Sequence, residues 1–130
     1  MSDKSINVVI TPAARKKLVY ARAGAISLPR IVGMAFGDGG VDADGNIIAP
    51  KEGQKALAHE LYRKPVDGYS FPEDTVCRYA CTLTEQELAN EEISEIGFYD
   101  EDGDILAIKA FKRKGKDDDF AQTFVLDDIF

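Results

Sequence analysis

Two acidic stretches of the sequence have the spacing of oxygen ligands for a calcium ion. Residues 42–46 (Asp-x-Asp-x-Asn) and 100–104 (Asp-x-Asp-x-Asp) place oxygens at positions 1, 3 and 5 of an EF-hand-like loop. Position 6 is isoleucine where a glycine is needed, and position 12 is not glutamate. In both stretches a glycine comes two residues earlier, as an Asp-Gly turn requires. We therefore predict turns and no metal site, with a weak adventitious cation site as the alternative.

A glycine-rich run, Gly37-Asp38-Gly39-Gly40, is the next candidate, since such loops can bind phosphate. A Walker loop ends in Gly-Lys-Ser/Thr, and a dinucleotide loop needs three spaced glycines with a helix opening on them. Neither pattern is present, and the carboxylate of Asp38 would repel a phosphate. We interpret the glycines as positions that need backbone freedom at the end of a strand.

Residues for nucleophilic catalysis are scarce. His59 is the only histidine, and Cys77 and Cys81 are the only cysteines. In a strand these cysteines would lie roughly 13 Å apart, too far for a disulfide, so two buried free thiols are predicted. A carboxylate pair such as Glu92 and Glu95 arises easily by chance among 23 acidic residues, so it gives little support to a glycosidase. We predict no catalytic residue, no metal ligand and no cofactor.

The composition indicates a folded acidic protein. Of its 130 residues 45% are hydrophobic, and 16 basic against 23 acidic residues give a net charge of -7. A domain of this size needs neither metal nor disulfide to fold. No apolar run approaches the roughly 20 residues of a membrane span, no signal-peptide core is present, and the acidic balance disfavours nucleic-acid binding. We expect one soluble domain over residues 1–130, with no membrane or nucleic-acid partner.

Local patterns predict an α+β fold dominated by antiparallel strands. Thr11 followed by Pro12 is typical of a helix start, so an amphipathic helix is predicted over 13–23, with a shorter second helix at 54–61. The first helix is expected to cover one face of the sheet with Ala14, Leu18, Val19 and Ala21. Strands are predicted at 31–36, 75–82, 93–99, 105–112 and 120–127, while 6–10 is a short strand or an extended lead-in.

The turns between these strands predict their pairing. The Asp-Gly turn within 100–104 favours a hairpin of the strands on either side. A second hairpin, with its tip at 113–119, would pair the strand at 105–112 with the strand at 120–127. The expected architecture is a meander or a sandwich-like single domain.

Charges are segregated along the chain. Residues 85–104 contain nine acidic residues and no basic one, whereas basic residues crowd the first helix and the segment 109–116. Solvated surfaces explain this pattern, and the alternative is that the patches meet complementary patches on neighbouring subunits. The acidic segment is therefore the first place to look for a partner.

Four segments carry a family resemblance. They are Thr11-x-Ala13-x-x-x-x-Leu18, Met34-Ala35-Phe36-Gly37-Asp38-Gly39, Leu57-x-x-Glu60-x-Tyr62-Arg63-Lys64-Pro65-Val66, and the run from Ile93 to Ala107. Together they resemble the N-terminal domain of phage tail-collar or tail-fibre proteins over nearly the whole chain. The motif residues that the resemblance marks are Gly37, Asp38, Gly39, Glu95, Ile96, Gly97, Asp102 and Gly103.

The resemblance implies a non-enzymatic virion protein, made in the bacterial cytoplasm, that joins a fibre to the tail or baseplate. Its partners would be other tail or baseplate proteins, and fibre proteins of this kind commonly assemble as trimers. The sequence stops at Phe130, so we expect no shaft or receptor-binding tip, and the alternatives are a short tail protein, an attachment domain whose tip is encoded elsewhere, and a prophage remnant.

Some residues keep a second interpretation. Ile96 and Gly97 are expected in the core, with a direct interface as the alternative. Ile129 and Phe130 are candidates for a subunit or baseplate contact, or for packing on the domain's own sheet. A different class of function, a small cytoplasmic ligand- or carbohydrate-binding module, is suggested by the Gly/Asp loop together with Tyr62, Tyr69 and Tyr79.

Overall fold

A computed structural model describes residues 7–130, which form two antiparallel sheets that pack face to face. In chain order the elements are β1 (Val8–Ile10), α1 (Pro12–Arg22), β2 (Ile31–Gly37), β3 (Glu60–Pro65), β4 (Gly68–Glu73), β5 (Val76–Leu83), β6 (Glu91–Asp100), β7 (Ile105–Lys116) and β8 (Gln122–Ile129). The larger sheet has the order β1-β7-β6-β2-β3, and the smaller sheet has the order β4-β5-β8. The described residues are thus mostly antiparallel strand.

Alternating apolar residues build the core between the sheets. In a strand, residues i and i+2 share a face, and Phe98 of β6 and Phe124 and Leu126 of β8 lie on the inner side in this way. Phe36 of the larger sheet meets Phe124 of the smaller sheet edge to face, with ring centroids 5.2 Å apart. Phe98 and Tyr79 make a second contact across the sheets at 5.5 Å. These ring contacts set how the two sheets lie on each other.

The connection from β2 to β3 covers the outer face of the larger sheet. Leu57 is buried there against Ala35, Ile105 and Ile108. The second helix predicted at 54–61 is wrong, because this segment forms turns and then enters β3 at Glu60. Contacts of Leu57 and of nearby backbone amides with the sheet outweigh a weak local helix propensity.

Helix α1 lies beside β7 and begins at an N-cap that also binds the sheet. The hydroxyl of Thr11 accepts the N–H of Ala14 at 3.4 Å and donates to the carbonyl of Ile105 at 2.6 Å. No residue of α1 is fully buried, and Val19, predicted on the covered side, is 66% exposed. The predicted apolar side therefore covers the sheet only in part. No helix among residues 7–130 is long and apolar enough to cross a membrane.

Strand pairing differs from the prediction at the C-terminus. The hairpin around 100–104 is present, and β6 pairs with β7. The second hairpin is wrong, because β8 crosses to the smaller sheet and pairs with β5 along its whole length. Strand β7 pairs with β6 along one edge and with β1 at residues 107–109 of the other edge, so 8–10 is a strand and not only a lead-in. Crossing over also buries Phe124 and Leu126 between the sheets.

Both cysteines are free thiols, as predicted, although only Cys81 is fully buried and Cys77 is half-buried. Burial raises the pKa of the Cys81 thiol to about 11, so this group stays protonated at neutral pH. Cys81 therefore acts as a small apolar residue of the core.

The contact between Phe36 and Phe124 gives a direct test of the two-sheet core. Phe36→Ala should lower the free energy of unfolding by about 3–5 kcal/mol, because it removes a buried ring and leaves a cavity. Phe120→Ala is the matched control: its ring is 45% exposed, and the change should stay within about 0.5 kcal/mol. Urea unfolding followed by circular dichroism measures both, and equal losses would contradict this core.

Candidate functional site

The glycine-rich loop after β2 is held by one buried carboxylate. Glu95, in the middle of β6, points to the outer face of the larger sheet, opposite Ile96. Its Oε2 accepts the N–H groups of Gly39 and His59, and its Oε1 accepts the N–H of Ala58, each at 2.8 Å. Three backbone donors compensate a buried anion for its lost hydration. The carboxylate thus joins the sheet to both ends of the β2–β3 connection.

Two glycines of the loop are needed because the end of the β2–β3 connection and this carboxylate are both so close. A Cβ atom on Gly37 would overlap the carbonyl oxygen of His59 and lie 2.6 Å from Oε2 of Glu95, and one on Gly39 would lie 2.6 Å from Cβ of Ala58 and 2.8 Å from the same Oε2. We had interpreted these glycines as positions of backbone freedom, but what they supply is space. The structure therefore brings together four of the motif residues that the sequence singled out: Gly37, Asp38, Gly39 and Glu95.

Asp38 pairs with His59 at the surface of the same loop. Nδ1 of His59 lies 2.5 Å from Oδ1 of Asp38, and the N–H of Asp38 donates to the carbonyl of His59 at 3.2 Å. The hydrogen bond to Asp38, and then its charge, raises the pKa of His59 above the usual value. Within residues 7–130 no hydroxyl or thiol is bonded to His59. The two hydrogen bonds between Asp38 and His59 connect the start and the end of the β2–β3 connection.

The acidic turn at 100–104 closes around an ammonium group that α1 supplies. Nζ of Lys17 lies 2.6 Å from Oδ2 of Asp100, 2.7 Å from that of Asp104 and 3.1 Å from that of Asp102. Burial opposes the charge of Lys17, but the hydrogen bonds to the three carboxylates outweigh it and raise its pKa. The same three carboxylates are close enough to share one metal ion. The chain's own ammonium lies among them instead.

Asp100 also shapes the turn itself. Its Oδ1 accepts the N–H groups of Asp102 at 3.0 Å and Asp104 at 3.1 Å, and Gly103 adopts a φ of +86°. Residues 42–46 repeat this arrangement, since Oδ1 of Asp42 accepts two N–H groups at 2.9 Å. The spacing that imitates a calcium loop is therefore the spacing of an Asx turn. Both predicted turns are confirmed.

Most carboxylates of the acidic segment 85–104 are already engaged inside the molecule. Seven of the nine contact a cation or a backbone N–H, namely Glu87, Glu92, Glu95, Asp100, Glu101, Asp102 and Asp104. On the basic side, Lys116 is buried and donates to the carbonyls of Glu85 and Asp117 at 3.0 Å. The acidic charges of segment 85–104 are thus largely engaged within the fold, and this segment offers few free carboxylates to a partner.

Glu87 is the centre of another internal network. It accepts from Nζ of Lys64 at 2.7 Å, from the N–H of Thr84 at 2.8 Å and from the hydroxyl of Tyr62. Burial opposes its charge, but these donors, the ammonium of Lys64 first, lower the pKa of Glu87 to about 2. Because the folded-state pKa is depressed, the network stabilises the fold above about pH 4.5 and loses this effect as the pH falls towards 2.

The three tyrosines that suggested a carbohydrate site do not form one. Tyr62 is bound to Glu87, and Tyr79 packs on Phe98 in the core. Tyr69 alone is widely exposed, beside Phe71 with ring centroids 5.6 Å apart. The aromatic basis for the carbohydrate-binding alternative is therefore reduced to one exposed pair on β4.

Two further motif residues lie in the core, whereas the two candidate interface residues lie at the surface. Ile96 and Gly97 are buried, so the core interpretation of this part of the motif holds. Of the two candidate interface residues, Ile129 is half-buried and Phe130 is 64% exposed. Both line a groove of about 170 Å³ between α1 and the end of β8, which we call the apolar groove.

Sequence reasoning missed Lys17 and Asp128, which also lines the apolar groove. A signal for Lys17 existed, because it lies on the same side of the predicted helix as Ala14 and Ala21 at helical spacing. A lysine on the covered side of a helix predicts a carboxylate from another part of the fold, because a buried ammonium group needs a compensating anion. Asp128 had no such signal, since its position beside α1 depends on β8 crossing to the smaller sheet.

The cradle of N–H groups around Glu95 can be tested by a neutral replacement. Glu95→Gln should lower the free energy of unfolding by about 2–4 kcal/mol, because the amide NH₂ faces donors and leaves buried groups unpaired. Hydrogen exchange of the Gly39, Ala58 and His59 amides should become faster. Glu91→Gln, exposed on the same strand, is the control. Unchanged exchange of these three amides in the Glu95 variant would contradict the arrangement.

The ammonium among the aspartates predicts a response to calcium. Lys17→Met should lower the free energy of unfolding by about 2 kcal/mol, because three neighbouring carboxylates lose their shared cation. Calcium should raise the melting temperature of this variant and leave the wild type unchanged. Lys16→Met, exposed on the same helix, is the control and should show neither effect. An equal calcium response in the wild type would show that Lys17 does not hold this position.

Nearly the whole chain is similar to one known protein family. The family model of the phage tail-collar fibre protein, N-terminal, matches residues 1–125. No curated protein and no solved structure matches the chain. The match includes the loop around Glu95 and the turn around Lys17, and it confirms the resemblance stated from the sequence. The chain therefore belongs to the family of phage tail-collar fibre proteins, of which it represents the N-terminal region.

Proposed function

We propose that this chain is a non-enzymatic structural part of a phage or prophage tail, where it attaches a fibre to the tail or baseplate by protein–protein assembly. Family membership supports a structural role in the tail. The finer assignment, attachment as one domain together with other tail or baseplate proteins and further copies of itself, is our inference. The protein would be made in the bacterial cytoplasm and act in the virion.

One observation carries this proposal: in the two clusters that resemble ligand-binding sites, around Glu95 and around Lys17, side chains of the protein itself take the place of a ligand. The carboxylate of Glu95 takes up N–H groups that a bound anion would use, and the ammonium of Lys17 lies where a bound cation would be placed. Both clusters link distant parts of the chain. They support a fold that is kept rigid, and they leave contact with other molecules to its surface.

The surface offers large apolar side chains for such contact. Tyr69 and Phe71 on β4, and Leu28 and Phe130 at the apolar groove, are each more than half exposed. Contiguous exposed apolar area is uncommon on isolated proteins and usually marks an interaction site. The sequence-based candidates Ile129 and Phe130 belong to one of these surfaces, and we propose them as interface residues.

Locating the protein in the particle tests this function. We expect mass spectrometry of purified tails, from the phage or the induced prophage that carries the gene, to detect the chain. Gold-labelled antibody should mark the place where fibres leave the tail, and deletion of the gene should give tails without fibres. Deletion of a neighbouring capsid gene is the control, since it should leave the fibres in place. Intact fibres on tails that lack this chain would overturn the proposal.

A further inference from the structure

The apolar groove is open to solvent at its rim. It lies between α1, the segment that leads into β2 and the end of β8. Its wall includes Leu18, Leu28, Ile31, Leu106, Ile129 and Phe130. Leu28 is 52% exposed and Phe130 is 64% exposed, so two large apolar side chains stand at the edge of an apolar hollow. This combination is typical of a surface that another chain covers.

One carboxylate in the groove, that of Asp128, has no partner among residues 7–130. The side chain of Asp128 makes no hydrogen bond and no ion pair with any residue from 7 to 130, and burial raises its pKa above the usual value. The adjacent Asp127 points to the other face of β8 and pairs with Arg78 at 2.8 Å. Within the described part of the chain, a cation thus pairs with the outward carboxylate of Asp127 and none pairs with the inward carboxylate of Asp128. An anion in apolar surroundings is stabilised when a cation from outside approaches it.

Cations that could do this lie on the exposed side of α1. Arg22 has no ion pair within the described part of the chain, and Arg15 makes only a 3.7 Å contact with the exposed Glu52. Both arginines line a second hollow, to which Leu18 and Val19 contribute apolar surface. Leu18 lines the groove as well as this hollow, so the two are adjacent. One face of the molecule therefore carries apolar side chains together with free charges of both signs.

We propose that this face is a self-association surface, on which α1 of a second copy lies over the apolar groove. A guanidinium of the second copy's α1, from Arg15 or Arg22, reaches Asp128, while Val19 and Phe130 bury each other's apolar area. The inference deepens the proposed assembly function and rests on it, since it names one of the surfaces that assembly uses.

Charge complementarity favours a second copy over other occupants. A purely cationic partner would be attracted by Asp128 but repelled by the arginines beside it, and an anionic partner would meet the opposite problem. A second copy brings an anion, cations and apolar side chains in the same arrangement. An isologous contact between identical chains needs such a self-complementary face, and matched charges fix its register.

Sedimentation velocity of the purified chain over a range of micromolar concentrations tests the proposal. We expect the wild type to form an oligomer whose population rises with concentration. Asp128→Asn and Phe130→Ser should each raise the dissociation constant at least tenfold. The melting temperature of dilute, monomeric Asp128→Asn should stay the same or rise, because the change removes a poorly hydrated charge from the groove. Loss of association with unchanged folding separates an interface role from a damaged fold.

Asp118→Asn and Phe120→Ser are the matched controls, because both residues are exposed in the connection between β7 and β8, at the opposite end of β8. They should leave the dissociation constant unchanged. A wild type that stays monomeric at every concentration, or controls that weaken association equally, would overturn the proposal. A monomer that is still found in tails overturns this surface alone, and an oligomer that is absent from tails overturns only the tail function.

Discussion

A buried carboxylate must be surrounded by donors, and much of this fold follows from that requirement at Glu95. Its three N–H partners belong to two segments that lie 56 and 36 residues before it in the chain. Satisfying the charge therefore closes the long β2–β3 connection over the outer face of the larger sheet, where Leu57 is then buried. It also keeps side chains out of positions 37 and 39. One ionised group in a strand thus determines the course of a loop of more than twenty residues.

Charge is used in the same way at Lys17 and at Glu87. Lys17 of α1 is bound by carboxylates of the turn at 100–104. Glu87, in the turn before β6, is bound by side chains of β3. The clusters resemble ligand sites because the physical requirements are the same: an anion needs donors and a cation needs oxygens. Here the chain provides both sides. Such clusters act as cross-links between segments, which suits a structural component of a phage tail.

Local features were predictable from the sequence, and features that depend on distant segments were not. Thr11 followed by Pro12 marked the start of α1, and the Asp-Gly turn marked the β6–β7 hairpin, because these signals act over four or five residues. The helix predicted at 54–61 was wrong because its amides bind Glu95, far away in sequence. The predicted pairing of β8 with β7 was wrong because β8 pairs with β5 along its whole length, while β1, from the start of the chain, lies on part of the other edge of β7. In the candidate site, Gly39 and Glu95 were each singled out, but their contact was not foreseen.

The pairing of β1 with β7 has a consequence for how the chain is made. Val8 lies opposite Lys109, and the hydroxyl of Thr11 binds the carbonyl of Ile105, 94 residues later. During synthesis the first strand therefore has no partner until most of the chain has left the ribosome. Non-local pairing of this kind slows folding, and unpaired strand edges in the waiting chain favour aggregation. Rapid completion of translation, or a chaperone that shields the nascent chain, then governs how much protein reaches its folded state.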